Sequence, residues 1–108
     1  MKLIIGGAYQ GKRQYALEHY DGMELVVDFH LKVLGWLKED IDPVSHLKDN
    51  LSDYQGKVIV CDDISCGVVP VDSLLRKWRE AVGHTLTFLA KESDEVVRVF
   101  CGIGMRLK

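Results

Sequence analysis

Three features of the sequence predict an α/β fold, a small three-layer domain with a mostly parallel sheet of about four strands and helices on both faces. Short apolar runs recur at residues 3–5, 24–29, 57–61 and 95–100, and segments of helical spacing separate them. The run at 57–61 is apolar on both alternations, as a strand covered on both sides must be. A glycine turn follows the first run and opens a helical segment, the order of a βαβ unit. Right-handed crossovers between such strands place helices on both faces. No repeat, low-complexity segment or linker divides the chain, so residues 1–108 are expected to form a single domain.

The first strand runs into Gly6-Gly7-Ala8-Tyr9-Gln10-Gly11-Lys12. Gly6 and Gly11 permit turn geometries closed to residues with a Cβ, so that successive amides converge on phosphate oxygens. Lys12 adds a positive charge where a helix N-terminus already favours an anion. The spacing is that of the P-loop, G-x-x-x-x-G-K-[ST], except that Arg13 takes the last position. The fold expected is therefore P-loop NTPase-like. Gly6, Gly7, Ala8, Tyr9, Gln10, Gly11, Lys12 and Arg13 are the expected binding residues for ATP or GTP, with Lys12 steadying the β- and γ-phosphates. The hydroxyl that ligates Mg²⁺ in such loops is replaced by a guanidinium, which cannot. The alternative is a glycine-rich turn with a surface lysine.

After the loop, Ala16, Leu17 and Tyr20 mark a helix that Asp21-Gly22 stops. Residues 24–29, with Leu25, Val26 and Val27, are expected to be a short buried strand, and 31–38 a helix weakened by Gly35. Asp42 suits a cap and Pro43 a first helical position; Val44, Leu47, Leu51 and Tyr54 share a face of one helix that Gly56 ends. The strand at 57–61 leads into Asp62-Asp63. In a P-loop domain an acidic residue there holds a metal beside the phosphates, so Asp62 and Asp63 are the candidate Mg²⁺ residues, with Asp63 also a catalytic candidate. The alternative for either is a loop cap.

Residues 64–71 read as a loop containing Gly67 and Pro70, and Asp72 or Ser73 caps a long helix. Its core face carries Leu74, Leu75, Trp78, Ala81, Val82, Leu86 and Leu89, with Gly83 a possible bend. Arg76, Lys77, Arg79 and Glu80 lie mostly off that face and are expected to be solvated. Val96, Val97, Val99 and Phe100 form the last strand, followed by Gly102-Ile103-Gly104 and a basic tail. Ligands of such sheets sit at the carboxyl ends of the strands, where the glycine loop and Asp62-Asp63 converge.

A net charge of −2 and a pI near 6.0 give no general attraction to nucleic acid or anionic lipid, so neither partner is expected. Cys61, Cys66 and Cys101 have no C-x-x-C spacing and read as buried thiols of a reducing compartment. No run is long enough for a membrane span and the start lacks a signal-peptide pattern, so a cytoplasmic location is expected. His19, His30, His46 and His84 are expected in solvated helix or loop positions.

Gly6 to Lys12, Gly67-Val68-Val69-Pro70, and the ending Gly102-Ile103-Gly104-Met105-Arg106-Leu107-Lys108 resemble the adenosylcobinamide kinase/adenosylcobinamide-phosphate guanylyltransferase family of cobalamin biosynthesis. That family has G-G-x-x-S-G-K-S, N-E-V-G-x-G-I-V-P and G-I-G-x-x-I-K segments. The similarity is closest over residues 58–108, where Trp78 to Gly83 lies in the place of an F-R-D-x-x-G helix motif. Gly6, Gly11 and Lys12 match the family's loop, Asp63 takes the place of its glutamate, and Gly67 and Pro70 match directly. The resemblance implies phosphoryl transfer from ATP or GTP to a corrinoid side-chain hydroxyl, with a corrinoid substrate and a homo-oligomer. Arg13 departs from the family loop, and the middle of the chain is shorter than the family's. The R-x-x-x-H-H-x-x-x-R-P block has no counterpart, so guanylyl transfer is not expected. The alternative is a catalytically inactive nucleotide-binding or partner-binding module.

Overall fold

The computed structural model describes residues 1–64 and 71–108. Its strands are β1 (Lys2–Gly6), β2 (Glu24–Val26), β3 (Lys57–Asp62), β4 (Glu95–Phe100) and β5 (Ile103–Arg106). The helices are α1 (Lys12–His19), α2 (Phe29–Lys38), α3 (Pro43–Asp49) and α4 (Ser73–Glu92), with a 3₁₀ turn at Leu51–Tyr54. The sheet runs β2-β3-β1-β4-β5. β1 pairs parallel with β3 and β4, β2 pairs parallel with β3, and β5 returns antiparallel along β4. The three-layer, mostly parallel α/β fold expected from the sequence is the fold observed.

β1 is central because consecutive residues serve opposite layers. Leu3 packs in one cluster with Phe29, Val33, Leu47, Ile59, Val82 and Leu89, under α2, α3 and α4. Ile4 packs in the other with Ala16, Val58, Val60, Val97 and Val99, under α1. Phe29 anchors the first layer, fully buried and edge-on to Trp36 and Tyr54 with ring centroids 5.7 Å away in each case. On the α1 face the sheet comes close to the helix: a Cβ added at Gly104 would lie 2.3 Å from Tyr15 Cε2.

Several local expectations are corrected. The second strand ends at Val26 and is an edge strand whose residues are exposed or half-buried, because it pairs with β3 alone and Asp28, at φ 52°, breaks the extended run. Phe29 therefore begins α2. The helix expected from Asp42 to Gly56 stops at Asp49, where the Asn50 Nδ2 donates to the His46 carbonyl at 2.8 Å and the chain tightens into the 3₁₀ turn. Its start is as expected: the Asp42 carboxylate accepts the Ser45 amide at 3.0 Å, ahead of Pro43. Asp72 caps α4 by accepting the Leu75 amide at 3.1 Å, and that helix continues through Gly83. Leu74 and Leu75, expected in the core, stay exposed in its first turn. The C-terminal stretch read as a tail is β5, joined to β4 by a turn at Cys101 and Gly102, with φ of 52° and 75°.

Cys61 is buried as expected, whereas Cys101 sits on that turn and is exposed. Cys66, Gly67, Pro70 and most of the loop read over 64–71 lie outside the described residues. Among the described residues, no helix is long and apolar enough to cross a membrane.

Candidate functional site

Because β1 and β3 are parallel neighbours in register from Lys2↔Val58 to Gly6↔Asp62, the glycine loop and Asp62 emerge side by side at the carboxyl edge of the sheet. The Asp63 amide donates to the Gly6 carbonyl at 2.8 Å and continues that pairing beyond β3. A Cβ at Gly6 would lie 2.5 Å from the Val99 carbonyl oxygen, so only glycine lets the chain leave the sheet beside β4. Gly11 caps α1 at φ 89° and Tyr9 stands at the loop tip at φ 59°. These reversals make the segment a concave turn.

The turn is held from one side by the β4–β5 hairpin. The Gly102 amide donates to the Gln10 carbonyl at 2.7 Å and the Cys101 amide to Gln10 Oε1 at 2.8 Å. Gly11 completes the contact, since a Cβ there would come within 3.2 Å of Gly102 Cα. The amides of Ala8, Tyr9, Gln10 and Gly11 donate to no acceptor among the described residues. Backbone N–H groups gathered in a turn at a helix N-terminus are a general anion receptor.

A cavity of about 340 Å³ opens here, lined by Ala8, Tyr9, Gln10, Gly11, Lys12, Arg13, Asp28, Val60 and Asp62. Lys12 is 7% exposed. Its ammonium donates to the Gly7 carbonyl at 2.6 Å and lies 2.6 Å from Asp62 Oδ1. The Asp62 backbone amide donates to His30 Nδ1 at 3.3 Å, and His30 Nε2 is 3.5 Å from Asp62 Oδ2. Trp78 Nε1 in turn donates to the His30 carbonyl at 2.7 Å, with the two rings stacked at 6.1 Å. Burial, reinforced by the carboxylates of Asp62 and Asp63, pushes the Cys61 thiol up to about 12, so β3 contributes no thiolate here at neutral pH.

Of the expected binding residues, Ala8 to Arg13 line the cavity; Gly6 and Gly7 are not among its lining residues, and the Gly7 carbonyl instead accepts the Lys12 ammonium. Arg13 is exposed at the rim. Asp62 meets Lys12 directly; Asp63 is not among the lining residues. From the sequence Asp28 carries no expected role and His30 is expected to be solvated. Asp28 ends the β2 run as Asp62 ends β3, and that shared position was the available signal. His30, expected to be solvated, is buried at 8% exposure because Trp78 and the end of β3 close over it. His19 and His84 are exposed as expected, and His46 packs against Trp36.

Carboxylate oxygens at this edge would suit a hard divalent cation that is also held by an anion's oxygens. Asp28 and Asp62 offer hard carboxylate oxygens beside the cavity, and Asp63 follows at the strand end. No group of three or more His, Cys, Asp or Glu gathers among the described residues, and Arg13 offers no ligand. One or two carboxylates plus phosphate oxygens and water is how magnesium is commonly held, whereas the described residues build no closed protein cage for the ion.

Comparison with known proteins gives two findings. The family model described as cobinamide kinase / cobinamide phosphate guanyltransferase matches residues 21–107. The bifunctional adenosylcobalamin biosynthesis protein CobU of Salmonella typhimurium is 37% identical over 51 residues, which are 47% of this chain and 28% of that protein. The chain thus spans little more than a quarter of that relative's length. The family match includes Asp28, His30, Asp62 and the β4–β5 hairpin and begins after the glycine loop, so the loop stands on its own geometry.

Proposed function

The chain belongs to the cobinamide kinase / cobinamide phosphate guanyltransferase family, and we propose that residues 1–108 act as a single P-loop domain that binds ATP or GTP and transfers a phosphoryl group to a corrinoid side-chain hydroxyl. A radius of gyration of 13.4 Å, ordinary for one domain of this length, supports the single-domain reading. One observation carries the rest: a buried lysine ammonium and the amides of residues 8–11, which donate to no acceptor among the described residues, border one cavity at the strand ends. In this reading Lys12 exchanges the Gly7 carbonyl for phosphate oxygens. The loop amides cradle the β-phosphate, and Gln10 keeps them aligned through its bonds to the hairpin. Phosphoryl transfer depends mainly on such positioning and charge neutralisation.

A magnesium ion bound with the nucleotide supplies charge neutralisation on the phosphates; Asp62, with Asp63 or Asp28, is the residue that would hold it. Asp28 makes no ion pair or side-chain hydrogen bond among the described residues and is available to a water or an acceptor hydroxyl. Guanylyl transfer is not assigned to this chain, which has no counterpart of the family's paired-histidine block. Cytoplasmic cobalamin biosynthesis is the setting this activity implies, with a homo-oligomer as the expected assembly.

The Arg13 substitution favours a second reading, a nucleotide-binding or partner-binding module without catalysis, in which the guanidinium takes over charge from the metal. Titration of ATP and GTP with Mg²⁺ and with EDTA, followed by a transfer assay on adenosylcobinamide, separates the two. The enzyme requires Mg²⁺ for turnover and yields a phosphorylated corrinoid. The module binds equally well in EDTA and yields none. Absence of binding by either nucleotide rejects the site.

A further inference from the structure

We propose that β5 is a dimerisation edge, on which a second copy of this chain lays its own β5 antiparallel about a two-fold axis at Met105. The inference does not depend on the nucleotide site. β5 ends one side of the sheet and pairs with β4 alone, so its outer backbone is open. Which groups face outward follows from β4. Val96 donates to the Lys108 carbonyl and accepts the Leu107 and Lys108 amides, while the Val99 carbonyl oxygen lies on the β1 side, where it would meet a Cβ at Gly6. Alternate residues of β4 thus bond β5, and those between them, Val97 and Val99, bond β1. Arg106 and Gly104 stand opposite Val97 and Val99, so their amides and carbonyls turn to the open edge.

The side chains sort by the same alternation. Val97 and Val99 pack in the cluster under α1, and Gly104 meets Tyr15 on that face. Ile103 and Met105 take the other face, with Phe100 directly beside Ile103. These three and Leu107, the next residue after β5, are between 54% and 72% exposed. Four large apolar side chains this open make a patch on the order of 400 Å², the size at which an apolar surface marks a contact site. Two copies bury about twice that before backbone and flanking side chains are added, which approaches the roughly 1,200 Å² of a specific interface. An axis at Met105 sets Gly104 opposite the second copy's Arg106 and Ile103 opposite its Leu107. Every outward amide and carbonyl of Gly104 and Arg106 then finds a partner, apolar meets apolar, and Arg106 faces a glycine instead of another arginine. An axis at Gly104 would set Arg106 against Gly102, which φ of 75° takes out of the strand. An edge that complements itself in this way fits a second copy of the chain.

The test uses the full chain. Analytical ultracentrifugation at micromolar concentration is expected to find twice the 12.2 kDa of one chain. Met105→Glu places two carboxylates face to face and is expected to raise the dissociation constant by about a hundredfold or more, with an unchanged circular dichroism spectrum. Met105→Cys, in a Cys66→Ser, Cys101→Ser background, is expected to form an intermolecular disulfide on mild oxidation, because opposed residues of a non-hydrogen-bonded pair stand about 4.5 Å apart at Cα. Arg106→Cys in the same background is expected to form none, being opposite Gly104. A wild-type monomer at high micromolar concentration overturns the proposal. So does an assembly of more than two chains, one that persists in Met105→Glu, or failure of the Met105→Cys bridge to form. If Met105→Glu does not fold, the pair of cysteine variants decides alone.

Discussion

Arg13 stands where a metal-dependent loop carries a hydroxyl, and its exposure at the cavity rim leaves the guanidinium able to reach an anion without displacing Lys12. Arg13→Ser is expected to raise the ratio of nucleotide affinity in Mg²⁺ to that in EDTA, measured by calorimetry. An unchanged ratio would mean that the side chain plays no part in the site. Lys12→Ala is expected to lower nucleotide affinity by roughly ten- to a hundredfold, the effect of losing one charged hydrogen-bonding group, while circular dichroism stays native. The cysteines divide by environment. Cys61 is buried with its thiol held at about 12, and Cys101 is exposed on the hairpin turn. Iodoacetamide at neutral pH should therefore modify Cys101 and leave Cys61 intact until the protein unfolds, as peptide mass mapping would read. The residue types at the loop and at Asp62 were legible because a motif carries them. The burial of His30 was not, because it depends on Trp78, 48 positions away, closing over it.

The elements that could be read from the sequence were those whose start and stop signals are local. α3 begins where Asp42 and Pro43 announce it, and α4 where Asp72 caps it. β5 could not be read this way, since Gly102-Ile103-Gly104 carries little strand propensity and its partner is supplied by β4. β2 was read too long because Asp28 reverses the backbone only in company with the α2 start. At the amino end, β1 is tied to the start of β4 by Asp94, which meets the N-terminal amine at 3.2 Å and Lys2 Nζ at 2.7 Å. The Lys2 ammonium and the N-terminal amine beside Asp94 hold its carboxyl at about 2, below its ordinary 3.8. A carboxyl depressed in the folded state stabilises the fold above its ordinary value and loses that contribution as pH falls through the folded value. Melting temperature should accordingly drop between about pH 4 and pH 2, and Asp94→Asn should flatten that part of the profile; an identical acid profile in the variant would show that the tie is not formed in solution. Gly104→Val should destabilise by about 1–3 kcal/mol, because its side chain has to displace the Tyr15 ring between α1 and β5.

At the scale of the molecule, the sequence supplied the alternation of strands and helices but not the order in the sheet. Four strands in a row leave several orders open, and the pairing of β1 with both β3 and β4 is decided by contacts far apart in the chain. That order has a functional consequence: with β1 in the middle, the glycine loop is flanked by Asp62 from β3 and by the hairpin that follows β4. The same centre organises stability. Phe29 is fully buried and edge-on to both Trp36 and Tyr54, so Phe29→Ala is expected to cost about 3–5 kcal/mol in denaturant unfolding, against less than 1 kcal/mol for an exposed position such as Leu31. The central claim is that the amides after Gly6 form a receptor for phosphate. An amide-resolved NMR titration with GTP tests it most directly: the account predicts the largest shifts at residues 8–13 and at Asp62, with the Gln10-bonded amides of Cys101 and Gly102 following. Shifts confined to another face, or none at saturating nucleotide, would contradict it.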